Sequence, residues 1–134
     1  MNLLARVDTL MTKNLITINQ KASVKQAKMK LDGHGIHHLL VVNDFKKLVG
    51  MVSYLDFAKV YERHTEGLEV SAIMTKPLVK LERTDTVRTA ANLFLLNRFH
   101  ALPVEDDGDL VGILTTFDLV KLIDREEIKL TDYV

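Results

Sequence analysis

Two seven-residue stretches carry the side chains best suited to chemistry: Gly50-Met51-Val52-Ser53-Tyr54-Leu55-Asp56 and Gly112-Ile113-Leu114-Thr115-Thr116-Phe117-Asp118. Both read Gly-x-x-Ser/Thr-x-x-Asp, with a strand-like run before and a helix-like run after. That spacing has two readings. Ser/Thr three residues ahead of Asp is a helix N-terminal cap, which satisfies exposed backbone N–H groups. The same geometry suits a phosphorylated ribose. Unpaired amides and the positive dipole end attract phosphate, and a hydroxyl hydrogen-bonds it. A carboxylate one turn on can accept from two adjacent ribose hydroxyls, and glycine lets backbone approach a ligand closely. Capping and binding are compatible, and recurrence of the pattern favours more than a cap.

The histidines raise a metal question. His34, His37 and His38 form a His-x-x-His-His cluster, and three imidazoles can hold zinc. His34 lies between Gly33 and Gly35 in a turn-like stretch, however, and neighbours His37 and His38 point to opposite faces of a strand. With no cysteine in the chain, no metal site is expected. His100 repeats His37 later in the chain, and His64 falls in a polar linker where solvation is expected. Catalysis is not expected either. No Gly-x-Ser-x-Gly elbow, Walker loop or paired glycosidase-like carboxylates are visible.

The elements that position these residues repeat once. Shifting the chain by 63 residues lays Val7 to Ile16 on Val70 to Val79, Ser23-Val24 on Thr86-Val87, and 36–39 on 99–102. The offset then becomes 62, laying 48–56 on 110–118, with the lost residue in a turn. Over the full aligned spans, 7–44 and then 48–61, 11 of 38 and 5 of 14 positions are identical, too many for chance. Each copy reads β-α-β-β-α, an α/β (α+β) unit. The expected pieces are an extended segment (15–18, 78–81), a helix opened by Ser23 or Thr86, two strands around a turn (37–42 with 48–52, 101–104 with 110–114), and a last helix (57–61, 119–123). Ser23-x-x-Gln26 is a capping box, and Val24, Ala27, Leu31 and Val87, Ala90, Phe94 mark the buried faces. Pro103 lacks a ladder donor, which predicts an edge strand or an irregular start. Leu3, Leu4 and Val7 are expected to cover one end of the core, and the tail 125–134 to extend the last helix or meet a partner.

The boundaries expected are 7–61 and 70–124, joined by 62–69. The 134 residues suit one compact domain, or two small copies that need each other to bury enough surface. Hydrophobic residues are 47% and charged residues 27%, which excludes a disordered or coiled-coil chain. The net charge of zero argues against nucleic-acid binding. Absence of cysteine and of a long apolar run predicts a cytoplasmic, non-membrane protein without a signal peptide. The halves differ: residues 1–67 hold ten Lys/Arg and six Asp/Glu, residues 68–134 eight and twelve. Attraction between two solvated faces is the plain reading; the sharper one draws anionic ligands toward first-half residues.

Two β-α-β-β-α copies, each with a Met-Thr start and a Gly-x-x-Ser/Thr-x-x-Asp ending, resemble the CBS domain. A tandem pair, or Bateman module, covers residues 7–124. The resemblance implies two pseudo-twofold copies with sheets packed together and two clefts between them. It also implies adenosine-containing ligands: AMP, ADP, ATP, S-adenosylmethionine or a cyclic dinucleotide. One site then uses Ser53 and Asp56 for phosphate and ribose, with Val79, Phe99 and Ala101 bracketing the adenine and Pro103 completing the set. The other uses Thr115 and Asp118, with Ile16, Ile36 and His38 as the adenine wall. Basic side chains just before the second strand reach phosphates in related modules; here those positions hold His37 and His38, then His100 and Ala101. The alanine predicts a weaker phosphate grip at the Thr115/Asp118 site. Partly charged histidines predict phosphate affinity that rises as pH falls. The function implied is that of a stand-alone ligand sensor, a homodimer that signals to a separate effector protein and has no activity of its own. The alternative is a constitutive dimerisation or interaction module whose Ser/Thr-x-x-Asp residues are caps only.

Overall fold

The computed structural model describes residues 2–60, 66–76 and 79–125. Tyr61, His64, Leu78 and residues 126–134, to which the sequence assigned a helix end, a linker, an extended segment and a tail, lie outside the described residues. The first copy runs β1 (Thr17–Asn19), α1 (Val24–His34), β2 (His38–Val42), β3 (Leu48–Ser53) and α2 (Tyr54–Phe57). The second runs β4 (Leu81–Glu82), α3 (Val87–Asn97), β5 (Ala101–Asp106), β6 (Asp109–Thr115) and α4 (Thr116–Asp124). Each copy forms a three-stranded sheet, β1-β2-β3 or β4-β5-β6. In each, the first pairing is parallel and the second antiparallel.

Local signals explain the helices. Ser23 Oγ accepts from the Gln26 amide at 3.0 Å while Gln26 Oε1 accepts from the Ser23 amide, so α1 starts where the capping box sits. Val24, Ala27 and Leu31 are buried on α1, and Val87, Ala90 and Phe94 on α3, the expected faces. Gly35 ends α1 at φ 60°, a left-handed cap that glycine adopts without steric cost. The same position after α3 is Arg98, at φ 54°.

Three expectations change. Pro103 lies on β5, the central strand of its sheet, not an edge. The strand tolerates it because β4 is two residues long and pairs only with Val104 and Glu105, leaving Pro103 a partner on one side, Ile113. Leu3 and Leu4 are exposed, and of that trio only Val7 is buried. The last helix of the first copy is four residues of α-helix followed by a 3-10 turn, Ala58–Val60, whose tighter path buries Val60 in the first core. Its counterpart α4 is nine residues long.

The largest departure from a linear reading is an exchange of leading segments. Val7, ahead of the first copy, is fully buried in the second copy's core with Leu81, Ala90, Leu102 and Leu114. Its amide donates to the Asp85 carbonyl at 2.8 Å, and Thr12 exchanges backbone bonds with Ile113. Val70, Ile73 and Met74 enter the first core with Leu31, Leu39 and Val52, and Thr75 exchanges backbone bonds with Met51. A third cluster, Leu40, Met51 and Ala101, joins the two sheets. Each unit of about 55 residues, near the size where single cores become marginal, is thus completed by chain from the other.

The charge imbalance contributes little. Among the described residues, one ion pair crosses between the copies, Lys47–Asp109 at 2.7 Å, and both groups are more than half exposed. Such pairs are worth about 0–1 kcal/mol. Among the described residues no helix is long and apolar enough to cross a membrane.

Candidate functional site

Both Gly-x-x-Ser/Thr-x-x-Asp stretches stand at a strand-to-helix turn, and both carboxylates are buried, Asp56 at 6% and Asp118 at 7% exposure. In the second copy the capping box is reciprocal. The Thr115 amide donates to Asp118 Oδ2 at 2.9 Å and the Asp118 amide donates to Thr115 Oγ1 at 3.1 Å. In the first copy the Ser53 amide donates to Asp56 Oδ2 at 2.9 Å, while the Ser53 hydroxyl lies 3.5 Å from the same oxygen. Capping is therefore part of both motifs.

The Met-Thr pairs meet these motifs across the exchange. Thr75 Oγ1 donates to Asp56 Oδ1 at 2.9 Å, and Thr12 Oγ1 stands 3.5 Å from Asp118 Oδ1. The glycines serve the methionines. A Cβ on Gly50 would fall 2.5 Å from Met74 Sδ, and one on Gly112 would collide with Met11. The close approach that glycine permits is made by a side chain of the other copy rather than left open for a ligand. Lys59 adds a cation to the first motif, 2.8 Å from Asp56 Oδ1, and also donates to the Ile73 carbonyl. Its repeat counterpart Lys121 lies over the Phe117 ring instead, 4.9 Å from the centroid.

Two cavities flank the junction of the copies. The first, about 170 Å³, is lined by His38, Ser53 and Asp56 from one copy and by Val79, Phe99, His100, Ala101 and Pro103 from the other. All of the residues assigned from sequence to the Ser53/Asp56 site thus come together. The second, about 600 Å³, is lined by Ile36, His37, His38, His100 and Thr115. Two residues assigned to it are elsewhere: Ile16 packs against the first copy's core, and Asp118 lies beneath the turn rather than on the cavity wall. Pockets for small molecules commonly span roughly 300–1,000 Å³. The second cavity is within that range and the first is below it.

Sequence reasoning missed Met51, Leu55, Thr75 and Arg98 in the first cavity, and Gly35, Ile113, Thr116 and Phe117 in the second. The repeated Met-Thr pair was a signal for Thr75. Nothing local marks Arg98, because its counterpart is glycine. The imidazoles are also distributed otherwise than expected. His38 and His100 line both cavities, His37 only the second, and Ala101 only the first. The missing cation therefore falls at the Ser53/Asp56 cavity rather than at the Thr115 one, and there Arg98 stands in.

Burial holds His38 below the ordinary imidazole range, His100 and His37 press the same way, and Asp56 opposes them. A histidine depressed in the folded state binds protons more readily when unfolded. Its contribution to stability is complete above about pH 6.5, the unfolded value, and is lost as pH falls through the lower folded value. Melting midpoints of the parent chain and His38→Gln, measured from pH 8 to pH 5, should fall unequally: the parent loses more on acidification. Equal slopes would show that His38 titrates as if unfolded.

Known proteins share this arrangement. The CBS-domain sequence profile matches residues 7–63 and 70–125. A homoserine O-acetyltransferase from Methanocorpusculum labreanum is 37% identical over 111 residues, 82% of this chain. The chain spans only 22% of that protein's length, so the likeness carries no acetyltransferase activity with it. A CBS-domain pair in complex with 5′-methylthioadenosine and S-adenosyl-L-methionine superposes with TM-score 0.83 at 27% identity, covering 92% of this chain and 99% of that one. CBSX2 in complex with AMP gives TM-score 0.81 at 29% identity, covering 90% and 96%.

Proposed function

The chain belongs to the CBS-domain family, and we propose that it is a regulatory module that binds adenosine-containing ligands (AMP, ADP, ATP or S-adenosylmethionine) between its two copies. The observation that carries the reading is the mixed parentage of the first cavity. Ser53 and Asp56 come from one copy, and Val79, Phe99 and Ala101 from the other. A ligand there touches both copies at once. The cavity's volume of about 170 Å³ adds a mechanism. A nucleotide seated there presses on walls from both copies, and a change in their spacing shifts one copy against the other. A ligand moves a conformational equilibrium by its differential affinity for the two states. The exchanged segments carry that shift, since Thr75 and Met74 of one copy rest on Asp56 and Gly50 of the other. The solved neighbours in complex with AMP and with S-adenosyl-L-methionine support the ligand class.

The listener is an effector protein or a second copy of the chain. Leu95 and Leu96 on α3, and Phe117, Val120 and Ile123 on α4, are large apolar side chains more than half exposed. We assign them to a homodimer face, whose expected signature is a mass of two chains in sedimentation. A cap-only interaction module remains the second reading, favoured by the three donors already gathered on the Asp56 carboxylate.

A thermal-shift screen against AMP, ADP, ATP, S-adenosylmethionine and cyclic di-AMP separates the two readings. A ligand at 100 times its Kd adds about 2.7 kcal/mol, a rise on the order of 10 °C for a domain of this size. A selective rise supports the sensor. No rise with any ligand, in folded protein stripped of nucleotide, leaves the interaction module.

A further inference from the structure

Resting on the two-cleft reading above, we propose that Arg98 makes the first cleft the one that takes a phosphate-bearing adenosine ligand. The second cleft takes an adenosine compound without an anionic tail. Arg98 follows α3 in the left-handed region at φ 54°, where its repeat counterpart is Gly35 at φ 60°. A residue with a Cβ adopts that conformation at a cost that glycine avoids. The chain thus keeps a strained arginine where its own other copy uses the relaxed residue.

The arginine points to use. It lines the first cavity beside Phe99 and His100, and among the described residues it has no carboxylate partner. The carboxylate in the same cavity, Asp56, is already matched by Lys59 at 2.8 Å. Arg98 is exposed at the edge of this cavity with a permanent charge, and its planar fork of donors suits phosphate oxygens.

The second cleft has the opposite balance. Gly35 contributes no side chain. Lys121 rests on Phe117, and among the described residues no Lys or Arg pairs with Asp118. Its polar wall is imidazole from His37, His38 and His100 and hydroxyl from Thr115 and Thr116, with no Lys or Arg among the lining residues. Among the residues lining the two cavities, a permanently charged cation occurs in the first only.

The test is calorimetric titration of the full chain with AMP and with adenosine at low salt, using the parent, Arg98→Ala and Arg98→Gly. The two probes differ by one phosphate. The parent should prefer AMP by about tenfold, the scale of one charge-assisted contact, and added salt should shrink the preference. Both variants should bring the ratio close to one with adenosine affinity retained. Arg98→Gly should also raise the melting midpoint, since glycine relaxes the left-handed turn, which separates lost recognition from lost folding. Binding of both probes with an unchanged ratio in both variants would overturn this assignment and leave the sensor reading standing. A parent chain that binds neither probe overturns this assignment, and the thermal-shift screen with the other ligands then decides the sensor reading.

Discussion

Asp56→Ala is expected to cost about 2–3 kcal/mol of stability, against about 1 kcal/mol for Asp118→Ala. The two aspartates occupy the same position in the repeat and are equally buried. Their partners differ. Asp56 accepts from the Ser53 amide at 2.9 Å and from Thr75 at 2.9 Å, and it holds Lys59 at 2.8 Å. Removing it leaves a backbone donor and a hydroxyl unmatched and takes the counter-charge from Lys59, which keeps its bond to the Ile73 carbonyl. The ammonium is about half exposed, so water recovers much of its share. Asp118 holds one cap amide at 2.9 Å, and the Thr12 hydroxyl only at 3.5 Å. Its loss is close to the loss of a cap. Urea denaturation at constant m reads the difference directly.

The same pair of variants separates binding from capping. If the carboxylate on the cavity wall holds ribose, Asp56→Ala removes the ligand response of the first cleft in protein that remains folded, whereas Asp118, off the wall of the second cavity, leaves that cleft's response in place when replaced by Ala. Equal destabilisation by the two variants would mean that Thr75 and Lys59 contribute nothing at Asp56. Undiminished ligand response in both would reduce the motifs to caps.

Ile73→Ala has the other large expected effect, because it empties a site in a core that its own repeat does not build. Ile73 is 1% exposed and packs in the first copy's cluster with Leu31, Leu39 and Val52. Truncating a buried isoleucine costs about 2–5 kcal/mol. The repeat counterpart, Leu10, is half-buried against the second core, so Leu10→Ala should cost about half as much. Hydrogen exchange shows where the damage lands. In Ile73→Ala the amides of β2 and β3 should lose protection first, although the substitution lies after the linker. Earlier loss in β5 and β6 would mean that the leading segments support their own copies.

Much of the architecture was legible because it is local. The capping box at Ser23, the buried faces of α1 and α3, and the two Ser/Thr-x-x-Asp turns depend on residues three or four apart, and the chain forms them wherever it goes. Recurrence at offsets of 63 and 62 then implied two equivalent units. Most of the first cavity's wall followed from the resemblance those residues carry, since Ser53, Asp56, Val79, Phe99 and Ala101 do meet.

What the repeat could not determine was which copy each leading segment completes. Val7 and Val70 occupy equivalent positions, so packing within a copy and packing across to the other satisfy the same apolar pattern. The fit of Met74 over Gly50 and of Met11 over Gly112, with the backbone bonds of Thr75 to Met51 and Thr12 to Ile113, goes with exchange. Pro103 shows the same limit. A missing donor says that one side of the strand must lack a partner, yet the two-residue length of β4 supplies that gap inside a sheet rather than at its edge. Arg98 and Gly35 end equivalent helices in equivalent conformations. Which cavity the next side chain enters, and whether a neighbouring cation or carboxylate is already matched, depends on the opposite copy. The sequence by itself determined the units and their motifs, through contacts one helical turn long. The tertiary structure alone decided the charge and volume of each cleft, because each is bounded by residues that the linear order keeps on opposite sides of the linker.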